Sequence, residues 1–584
     1  MVSDSLYPLS FARWPPTGGA ATYIEYPPIR RLVEFFWGLG PAALDEATCY
    51  EDWIALQATH QLYAGLLSPK QYSSRGNQLD LLRLTRFLEV FAYFSPAHAY
   101  SLHVSFLGLF PILMSANEPL KKEAIRRLED GGLFAFGVSE KAHGSDLFAN
   151  EFTVRKTQAG WMADGAKYYI GNANSASIIT ILARESDAGS TSARRMPFML
   201  FALRPAQAPG FGRLRKIHTL GIRAAYVGEF EVRGHPFDEA DVISEGREAW
   251  DTVCNTVNFG KFFLGFGAIG ICSHAFVEAV AHLRSRILYG RPVIEMPHIR
   301  TAVVMAFARL MAMKLYACRA LDYLQTASDD DRRYLLFNAV QKAKVSTEGV
   351  RVMSLLSECV GARGFEADTY FESALRDAPL IPGLEGSTHI NFGLAAQFLE
   401  SYFADTAYDT PDPESLVMGA TEPSENPYWL CARERNARTV RFAGCLRAYQ
   451  PLGSVSNVRL FAKQVGAFRS FAQAGLSALN ASEDAEMSIA LGKCLAVVAY
   501  AQLVAENCTA AAIGPATVSL IFHGLIEDLS AEGLKLAALL PTGGSERAQL
   551  KRVVRVPRTS AADIASVSES VRARYGAEAF SASE

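Results

Sequence analysis

The hydrophobic pattern divides the chain into a helical block, a strand block and a longer helical block. From about residue 29 to 130, segments such as LDLLRLTRFLEVFAYF repeat apolar residues every three or four positions, and Gly131 and Gly132 end the pattern. From about 134 to 243 the period becomes two, as in EFTVRK, ASIITILARE and VGEFEVRG. Helical periodicity returns after Glu245. These segregated blocks predict a mostly α-helical protein with a central antiparallel β-domain, and they argue against alternating βαβ units.

A linker-like stretch separates the last two helical regions. DTAYDTPDPESLVMGATEPSENP, which begins at Asp405, is rich in Pro, Asp, Glu and Ser, and helical periodicity resumes from about 428 to 540. We therefore predict four domains: helical 1–132, β 133–245, helical 246–405 and an appended helical domain 406–584. Runs such as IALGKCLAVVAYAQLVAENC are too apolar to stand in water, so the appended helices are expected to dock on the preceding domains as an antiparallel bundle.

Composition is that of an ordinary globular protein. Apolar residues make up 49 % of the 584 positions and charged residues 20 %, and the mean hydropathy is +0.08. A net charge of −3 gives no field that would attract nucleic acid. The one dense basic cluster is explained more simply as a solvated helix face; it comprises Arg547, Lys551, Arg552, Arg555 and Arg558.

The N-terminal sequence and the cysteines predict a cytoplasmic location. MVSDSLYPLSFARWPP lacks a basic segment followed by an apolar run, so no signal or transit peptide is predicted. No apolar stretch runs unbroken for the ~18 residues that span a bilayer, so no transmembrane segment is predicted. The nine cysteines form no CxxC pair and have no His partners at metal spacing, which predicts reduced thiols and no metal site.

One motif is misleading. Gly265-Phe-Gly267-Ala-Ile-Gly270 matches the dinucleotide fingerprint GxGxxG, which works only between a strand and a helix and with an acidic residue about 20 positions further on. Position 285 is Ser, and the glycines lie inside a continuous amphipathic pattern. We expect them to allow close helix packing.

The chemistry is concentrated in two segments of the strand block, FAFGVSEKAHGSD from Phe134 and DGAKYYIGN from Asp164. Their glycines and small hydroxyl residues can present N–H and O–H groups to a flat heteroaromatic ring, on which Tyr169 can stack. In order and spacing the pair resembles the acyl-CoA dehydrogenase family. Later elements follow in the family's order: TLGIRAAYVGEFEV, SRILYGRP, VGARGF and, after Arg376-Asp377-Ala378, LEGSTHIN.

The resemblance covers about residues 30 to 405 and implies the family's fold. That fold has a helical N-domain, a β-barrel middle domain and a C-terminal four-helix bundle; the appended helical domain is similar to that of very-long-chain-type members. The resemblance implies FAD rather than FMN, and a homodimer. Flavin contacts are implied for Phe136, Val138, Ser139, Gly144, Ser145, Tyr169, Ile170, Gly171, Gly361 and Ser387, with Arg286 and Tyr289 reaching the diphosphate or adenine from a second subunit.

The implied reaction is α,β-desaturation of an acyl thioester. By the resemblance Glu385 removes the α-proton, the β-hydrogen leaves as hydride to flavin N5, and the thioester oxygen is held by the flavin ribityl group and the Glu385 N–H. The family's alternative base position, about 30 residues before the glycine of SRILYGRP, is Gly260 here, which has no side chain. Substrate contacts are implied for Ser145, Asn258, Lys261, Leu384 and Gly386.

The sequence departs from the family pattern at four positions. Tyr169 stands where the family has a Trp, and Gly171 where it has a Thr whose hydroxyl bonds near flavin N5. Glu358 replaces a Gln before the glycine loop, and Leu384 replaces a Tyr before the catalytic Glu. Tyr169 keeps an aromatic face, whereas the missing hydroxyl and the acidic Glu358 predict an altered environment of the flavin.

Three alternatives share these residues. An acyl-CoA oxidase would differ in passing electrons to oxygen instead of an electron-accepting flavoprotein. A dehydrogenase of carrier-protein-bound acyl groups would lack CoA contacts, and Asn258 and Lys261, where the family often has Asp and Arg, leave this possibility open. A non-catalytic relative that binds DNA would need a basic appended domain, yet acidic residues outnumber basic ones from Asp405 onward.

Overall fold

The computed structural model describes residues 4–186, 197–404, 406, 409–416, 425–431, 436–479, 484–541 and 544–575. The helices are α1 Gly19–Tyr23, α2 Pro27–Phe36, α3 Pro41–Leu44, α4 Ala47–His60, α5 Leu62–Leu67, α6 Leu81–Phe94, α7 Pro96–Met114, α8 Glu118–Glu129, α9 Gly246–Ser285, α10 Pro297–Gln325, α11 Tyr334–Val340, α12 Ser346–Val360, α13 Tyr370–Asp377, α14 Thr388–Ala396, α15 Leu399–Phe403, α16 Ser456–Leu479, α17 Ala485–Ala510, α18 Pro515–Leu539, α19 Ser545–Lys551 and α20 Ala561–Arg574. The strands are β1 Leu133–Gly137, β2 Thr153–Thr157, β3 Gly160–Gly171, β4 Ala176–Glu185, β5 Phe198–Leu203, β6 Phe211–Lys216, β7 Val227–Phe237, β8 Val242–Glu245, β9 Ile287–Leu288 and β10 Arg291–Pro292.

The described residues form two compact units. The sheet unit contains those of Phe35–Phe263 and Glu422–Arg435. The helical unit contains those of Met1–Glu34, Leu264–Thr421 and Asn436–Glu584. The four domain boundaries expected from the sequence stay a prediction.

The sheet unit is built on one eight-stranded sheet in the order β6-β7-β3-β2-β4-β5-β8, with β1 paired to β4. The predicted fold class is confirmed, with one correction. The β1–β4 and β2–β4 pairs are parallel, so the sheet is mixed rather than purely antiparallel, and its end strands β6 and β8 share no described ladder that would close a barrel. A period of two identifies strands but carries no information on their relative direction.

The core of the sheet unit comes from the inward positions of these strands. Phe152, Ile181, Phe201 and Phe230 are completely buried there. Strand β5 is buried at every position, which explains why its sequence, FMLFAL, does not alternate. This rigid sheet carries the two segments that the sequence singled out, one after β1 and one at the end of β3.

The helical unit joins the appended helices to the bundle that precedes them. Helix α17 packs against α10 and α14, and α18 packs against α10, α16 and α17. A buried ionic cluster contributes to this packing: Asp528 of α18 accepts hydrogen bonds from Arg309 of α10 and from Lys344 and Arg351. Glu348 completes the cluster with bonds from Arg309 and Lys344. The expected docking of the tail is therefore seen.

Four helices correct the expectation that no segment is apolar enough to span a bilayer. α7, α9, α10 and α17 are long and apolar enough to cross a membrane by length and composition. A search for unbroken apolar runs missed them because each tolerates a few polar side chains. Between 78 and 94 % of each apolar window is buried within the protein, so packing accounts for this composition.

The GxGxxG sequence lies in the interior of α9 and not between a strand and a helix. At Gly265 a β-carbon would collide with the side chain of Gln341, which packs directly on the helix backbone. This contact confirms the helix-packing interpretation for Gly265.

Candidate active site

In the sheet unit, hydrogen bonds hold together the two segments that were predicted to contact the flavin. The Ser139 hydroxyl donates to the carbonyl of Tyr168 at 2.7 Å, and the Tyr168 N–H donates to the carbonyl of Ser139 at 3.0 Å. These bonds fix the chain after β1 against the end of β3. The predicted residues Val138, Ser139 and Tyr169 are thereby brought together.

A buried lysine completes this arrangement. Lys167 has no exposed surface, and its ammonium donates to the carbonyl of Val138 at 3.1 Å, to Glu140 at 2.8 Å and to Asn150 at 3.0 Å. Burial lowers the pKa of Lys167 to about 8, an effect that the charge of Glu140 partly offsets. Because all three partners lie on the loop after β1, Lys167 sets the path of that loop.

Tyr169 is presented to solvent by an irregularity in β3. The register between β3 and β7 shifts between Lys167 and Ile170, and Tyr169 takes a left-handed backbone conformation with φ 60°. Tyr169 is 58 % exposed, and its ring meets that of Tyr168 edge-on with 4.5 Å between the ring centroids. A non-glycine residue with positive φ at a β-bulge indicates a functional constraint, and here it leaves an aromatic face open for stacking.

The other predicted flavin contacts of the sheet unit differ in exposure. Gly144 and Ser145 are exposed, and a β-carbon at Gly144 would meet nothing within 4 Å, so the backbone there is open to a ligand. Phe136 is half-buried. Ile170 belongs to the sheet core, so only its backbone is available.

Gly171 has a packing explanation. A β-carbon at this position would lie 2.7 Å from Tyr100 and 2.7 Å from Val104, both on α7. A side chain at position 171 would collide with these two residues unless they moved. The size of Tyr100 and Val104 therefore explains why glycine stands where the family has Thr. The predicted substrate residues Asn258 and Lys261 lie on α9, with 0 % and 3 % of their surface exposed.

In the helical unit, Glu385 lies in a strained turn just before α14. Its backbone has φ 49° and that of Gly386 has φ 83°. The Asn391 amide, which is completely buried, donates to the carbonyls of Gly386 at 3.0 Å and Ser387 at 3.1 Å. The turn is thus tied back onto α14, and Glu385 and Leu384 are both half-buried residues.

A second buried lysine lies behind this turn. Lys342 is completely buried in a π-helical turn between α11 and α12, Gln341–Val345. Its ammonium donates to the carbonyl of Ile381 at 2.8 Å and to that of Pro382 at 3.0 Å. Burial lowers the pKa of Lys342 to about 8, and the negative charge of Glu385 acts in the opposite direction.

The predicted second-subunit contacts lie on an exposed hairpin of the same unit. Strands β9 and β10 are joined by Tyr289 and Gly290, with φ of 51° and 75°, which is the conformation of a tight two-residue turn. Tyr289 is 95 % exposed and Arg286 is exposed. A β-carbon at Gly361 would lie 4.0 Å from the Arg286 guanidinium, so these two predicted residues are neighbours.

Sequence reasoning missed the residues that hold these segments in place. Lys167 and Asn391 lie inside the segments DGAKYYIGN and LEGSTHIN, but no role was predicted for either residue, and Lys342 lies outside every motif. Glu140, His143 and Glu151 offer ligand atoms within 4.8 Å of one another, although no metal site was predicted. Glu140 is already bonded to Lys167 and to the N–H groups of Glu151 and Phe152, which explains the cluster without a metal.

Two family models match the part of the chain that contains these segments. The acyl-CoA dehydrogenase middle-domain family matches residues 135–234, and the acyl-CoA dehydrogenase C-terminal-domain family matches residues 248–399. The first match contains the clamped segments of the sheet unit. The second contains α9 to α14 and the Glu385 turn.

Curated relatives and solved structures of related proteins also resemble this chain. The chain is 24 % identical over 353 residues to a cyclohex-1-ene-1-carbonyl-CoA dehydrogenase of Geobacter metallireducens, covering 59 % of this chain and 89 % of the relative. An acyl-CoA dehydrogenase from Bacillus anthracis, solved with FAD, has the same fold with a TM-score of 0.71 at 15 % identity, over 94 % of both chains. The prolyl acyl carrier protein oxidase AnaB matches with a TM-score of 0.56 at 19 % identity, over 65 % of this chain and 99 % of its own.

Proposed function

Because the chain belongs to the acyl-CoA dehydrogenase family, we propose that it is an FAD-dependent oxidoreductase that introduces an α,β-double bond into an acyl-CoA thioester, with Glu385 as the base. The observation that carries the proposal is the conformation of Glu385. It is a non-glycine residue at φ 49°, in a turn that Asn391 holds from behind. Such strain persists where the surrounding structure maintains it, which is typical of catalytic positions.

The residues of the predicted flavin site fit FAD. Tyr169 offers an exposed aromatic face, and Gly144 leaves the backbone open beside Ser145. Arg286, exposed beside Gly361, suits a diphosphate because a guanidinium binds phosphate oxygens in a fork. The exposed hairpin agrees with the expectation that Arg286 and Tyr289 serve a second subunit of a homodimer. FAD supplies a two-electron acceptor for the hydride that leaves the β-carbon.

The protein's own part in the reaction is to position the thioester and remove a proton. The Glu385 carboxylate takes the α-proton, and the Glu385 N–H donates to the thioester oxygen as negative charge develops there. Gly386 allows the chain to pass close to the acyl group, since its φ of 83° suits glycine alone. Leu384, half-buried beside the base, limits the access of water.

Two related activities differ from the proposed one, either in the electron acceptor or in the carrier of the acyl group. An oxidase would return electrons to oxygen, and a carrier-protein dehydrogenase would accept an acyl group tethered to a protein; AnaB, of the same fold, is a carrier-protein oxidase by name. We favour CoA and an electron-accepting flavoprotein because the curated relative in the comparison is a CoA-thioester dehydrogenase. We also propose that the enzyme acts in the cytoplasm.

Anaerobic titration tests this proposal. The purified protein should be yellow and should release FAD on denaturation. Acyl-CoA thioesters of graded chain length should bleach the visible absorbance of the flavin. If only carrier-protein thioesters bleach the flavin, the substrate is a carrier-bound acyl group and not acyl-CoA. Rapid oxygen consumption during turnover would make the enzyme an oxidase. A colourless protein that takes up no FAD would refute the proposal.

A further inference from the structure

Lys342 is a buried cation that lies behind the turn carrying the proposed base. Lys342 is one of two lysines in the π-helical turn Gln341–Val345, and both are almost fully buried. Lys344 belongs to the ionic cluster with Glu348 and Asp528. Lys342 instead contacts the backbone that leads into Glu385. A π turn inside a helix is rare and is frequently found at functional sites.

We propose that Lys342 is a positioning residue for Glu385: it anchors the turn that carries the base and so sets the position of the carboxylate. The inference rests on the proposed function, because it gives Lys342 a role only if Glu385 is the base.

The anchoring is direct. The Lys342 ammonium donates to two successive carbonyls, those of Ile381 and Pro382, at 2.8 and 3.0 Å. These carbonyls belong to the 3-10 turn Ala378–Gly383, which ends two residues before Glu385. On the other side of Glu385, Asn391 holds the carbonyls of Gly386 and Ser387. The strained residue is therefore fixed on both sides by buried side chains.

The charge of Lys342 suits it to this role as an anchor. Hydrogen bonds from an ionised donor are stronger than those from a neutral donor, and leaving such a donor unpaired in the interior is costly. Burial lowers the pKa of Lys342 to about 8, and the negative charge of Glu385 acts in the opposite direction. The two carbonyls of the turn therefore bind a donor that holds them firmly.

The other charged groups near this turn have partners of their own. On α10 and α12, Arg309, Arg351 and Glu348 are bonded within the Asp528 cluster. Arg319 of α10 is paired with Asp322 and Glu506. His389 of α14 is exposed to solvent. Among the described groups, the charge that acts on Lys342 is that of Glu385.

The test is anaerobic stopped-flow reduction of the full-length FAD-loaded protein by one acyl-CoA thioester, with FAD content and thioester affinity measured on the same samples. Lys342→Met removes the donors and the charge, whereas Lys342→Gln removes the charge and keeps N–H donors. Both should slow reduction at saturating thioester by about tenfold while FAD content and thioester affinity stay as in the wild type, because a small displacement of a base is costly. Lys342→Arg keeps charged donors and should retain most of the rate, and His389→Gln, at the start of α14, serves as the matched control.

Each outcome decides the inference. A wild-type reduction rate in both uncharged variants, or a rate loss matched by an equal loss of FAD or of thioester affinity, would show that Lys342 does not position Glu385 and would overturn the inference. If Lys342→Met does not fold, Lys342→Gln alone decides. Failure of the proposed function gives a different result: the wild type is then not bleached by any thioester, or Glu385→Gln is reduced at the normal rate.

Discussion

The backbone carbonyl of Phe392 occupies the space in which a side chain at Gly492 would stand. Phe392 lies on α14, the helix that begins three residues after Glu385, and Gly492 lies on α17 of the appended region. The two helices therefore approach backbone to backbone, which only glycine permits. The appended region thus helps to support the helix that follows the Glu385 turn.

Substituting Gly492→Ala should disturb this contact. The added methyl group must push α14 away, so we expect a loss of about 2 kcal/mol in unfolding free energy and flavin reduction slowed by about tenfold, because a small displacement of a base is costly. Urea unfolding and stopped-flow reduction measure the two effects. Gly466→Ala in α16, where a β-carbon meets nothing within 4 Å, is the matched control and should be neutral or stabilising. Equal unfolding free energies and equal reduction rates in the two variants would argue against the close approach of α14 and α17.

The ionic cluster makes a second prediction about the appended helices. Asp528→Asn would leave Arg309, Lys344 and Arg351 with Glu348 as the remaining anion of the cluster. Breaking a buried ion network in this way costs about 3–5 kcal/mol, which should appear as a lower midpoint of urea unfolding. Glu527→Gln is the control, since the neighbouring Glu527 side chain is half exposed and forms its ion pair with His523, outside the cluster. An Asp528→Asn midpoint equal to that of the control would exclude a stabilising role for the cluster.

FAD affinity tests the role assigned to Tyr169. Tyr169→Ala removes the exposed ring, and we expect FAD affinity to fall by about tenfold, the value of one aromatic stacking contact. Tyr169→Trp keeps an aromatic face and should retain FAD. Equilibrium dialysis of the apoprotein with FAD measures both. Full FAD binding by the Ala variant would mean that the flavin does not lie on this ring.

Acid should weaken one ion pair of the sheet unit. The hydrogen bond from Arg204 is the main cause that lowers the pKa of Glu123 to about 2. Since the folded-state pKa lies below the ordinary value, the pair stabilises the protein above about pH 4.5 and this contribution is lost as the pH falls toward 2. Solvent screening reduces it to about 1 kcal/mol.

The corresponding experiment compares Arg204→Met with the wild type by urea unfolding at pH 7 and pH 3. The difference between the two proteins should be largest at pH 7 and should shrink on acidification. A difference that grows toward pH 3 would contradict the linkage. Arg233→Met, which removes an exposed pair with Glu231, should have little effect at either pH.

The sequence was sufficient for the parts of this protein that repeat in a period or form a motif. The change of period near residue 134 and its reversal near 245 correspond to the start of β1 and the end of β8. The order of short motifs predicted Tyr169 and Glu385 as site residues, and both have the positive φ expected of constrained positions. Strand direction was not predictable, because alternation is the same in parallel and antiparallel pairs.

The supporting residues could not be predicted for a different reason. Lys342 binds the carbonyls of Ile381 and Pro382 across 39 and 40 positions, and Lys167 binds Glu140 across 27. Nothing in the local sequence of either lysine marks it as buried, since lysine is normally a surface residue. From the sequence, Gly171 was interpreted as the loss of the Thr hydroxyl group found in the family. The position of Tyr100 on α7 shows that a side chain at 171 would collide with it.

The central claim is that Glu385 is the base. Glu385→Gln keeps the shape of the side chain and removes its ability to accept a proton. The variant should hold FAD and bind acyl-CoA as the wild type does. In anaerobic stopped flow with a thioester that bleaches the wild type, its flavin should be reduced more slowly by a factor on the order of 10² or more. Reduction of the Glu385→Gln flavin at near the wild-type rate would contradict the account.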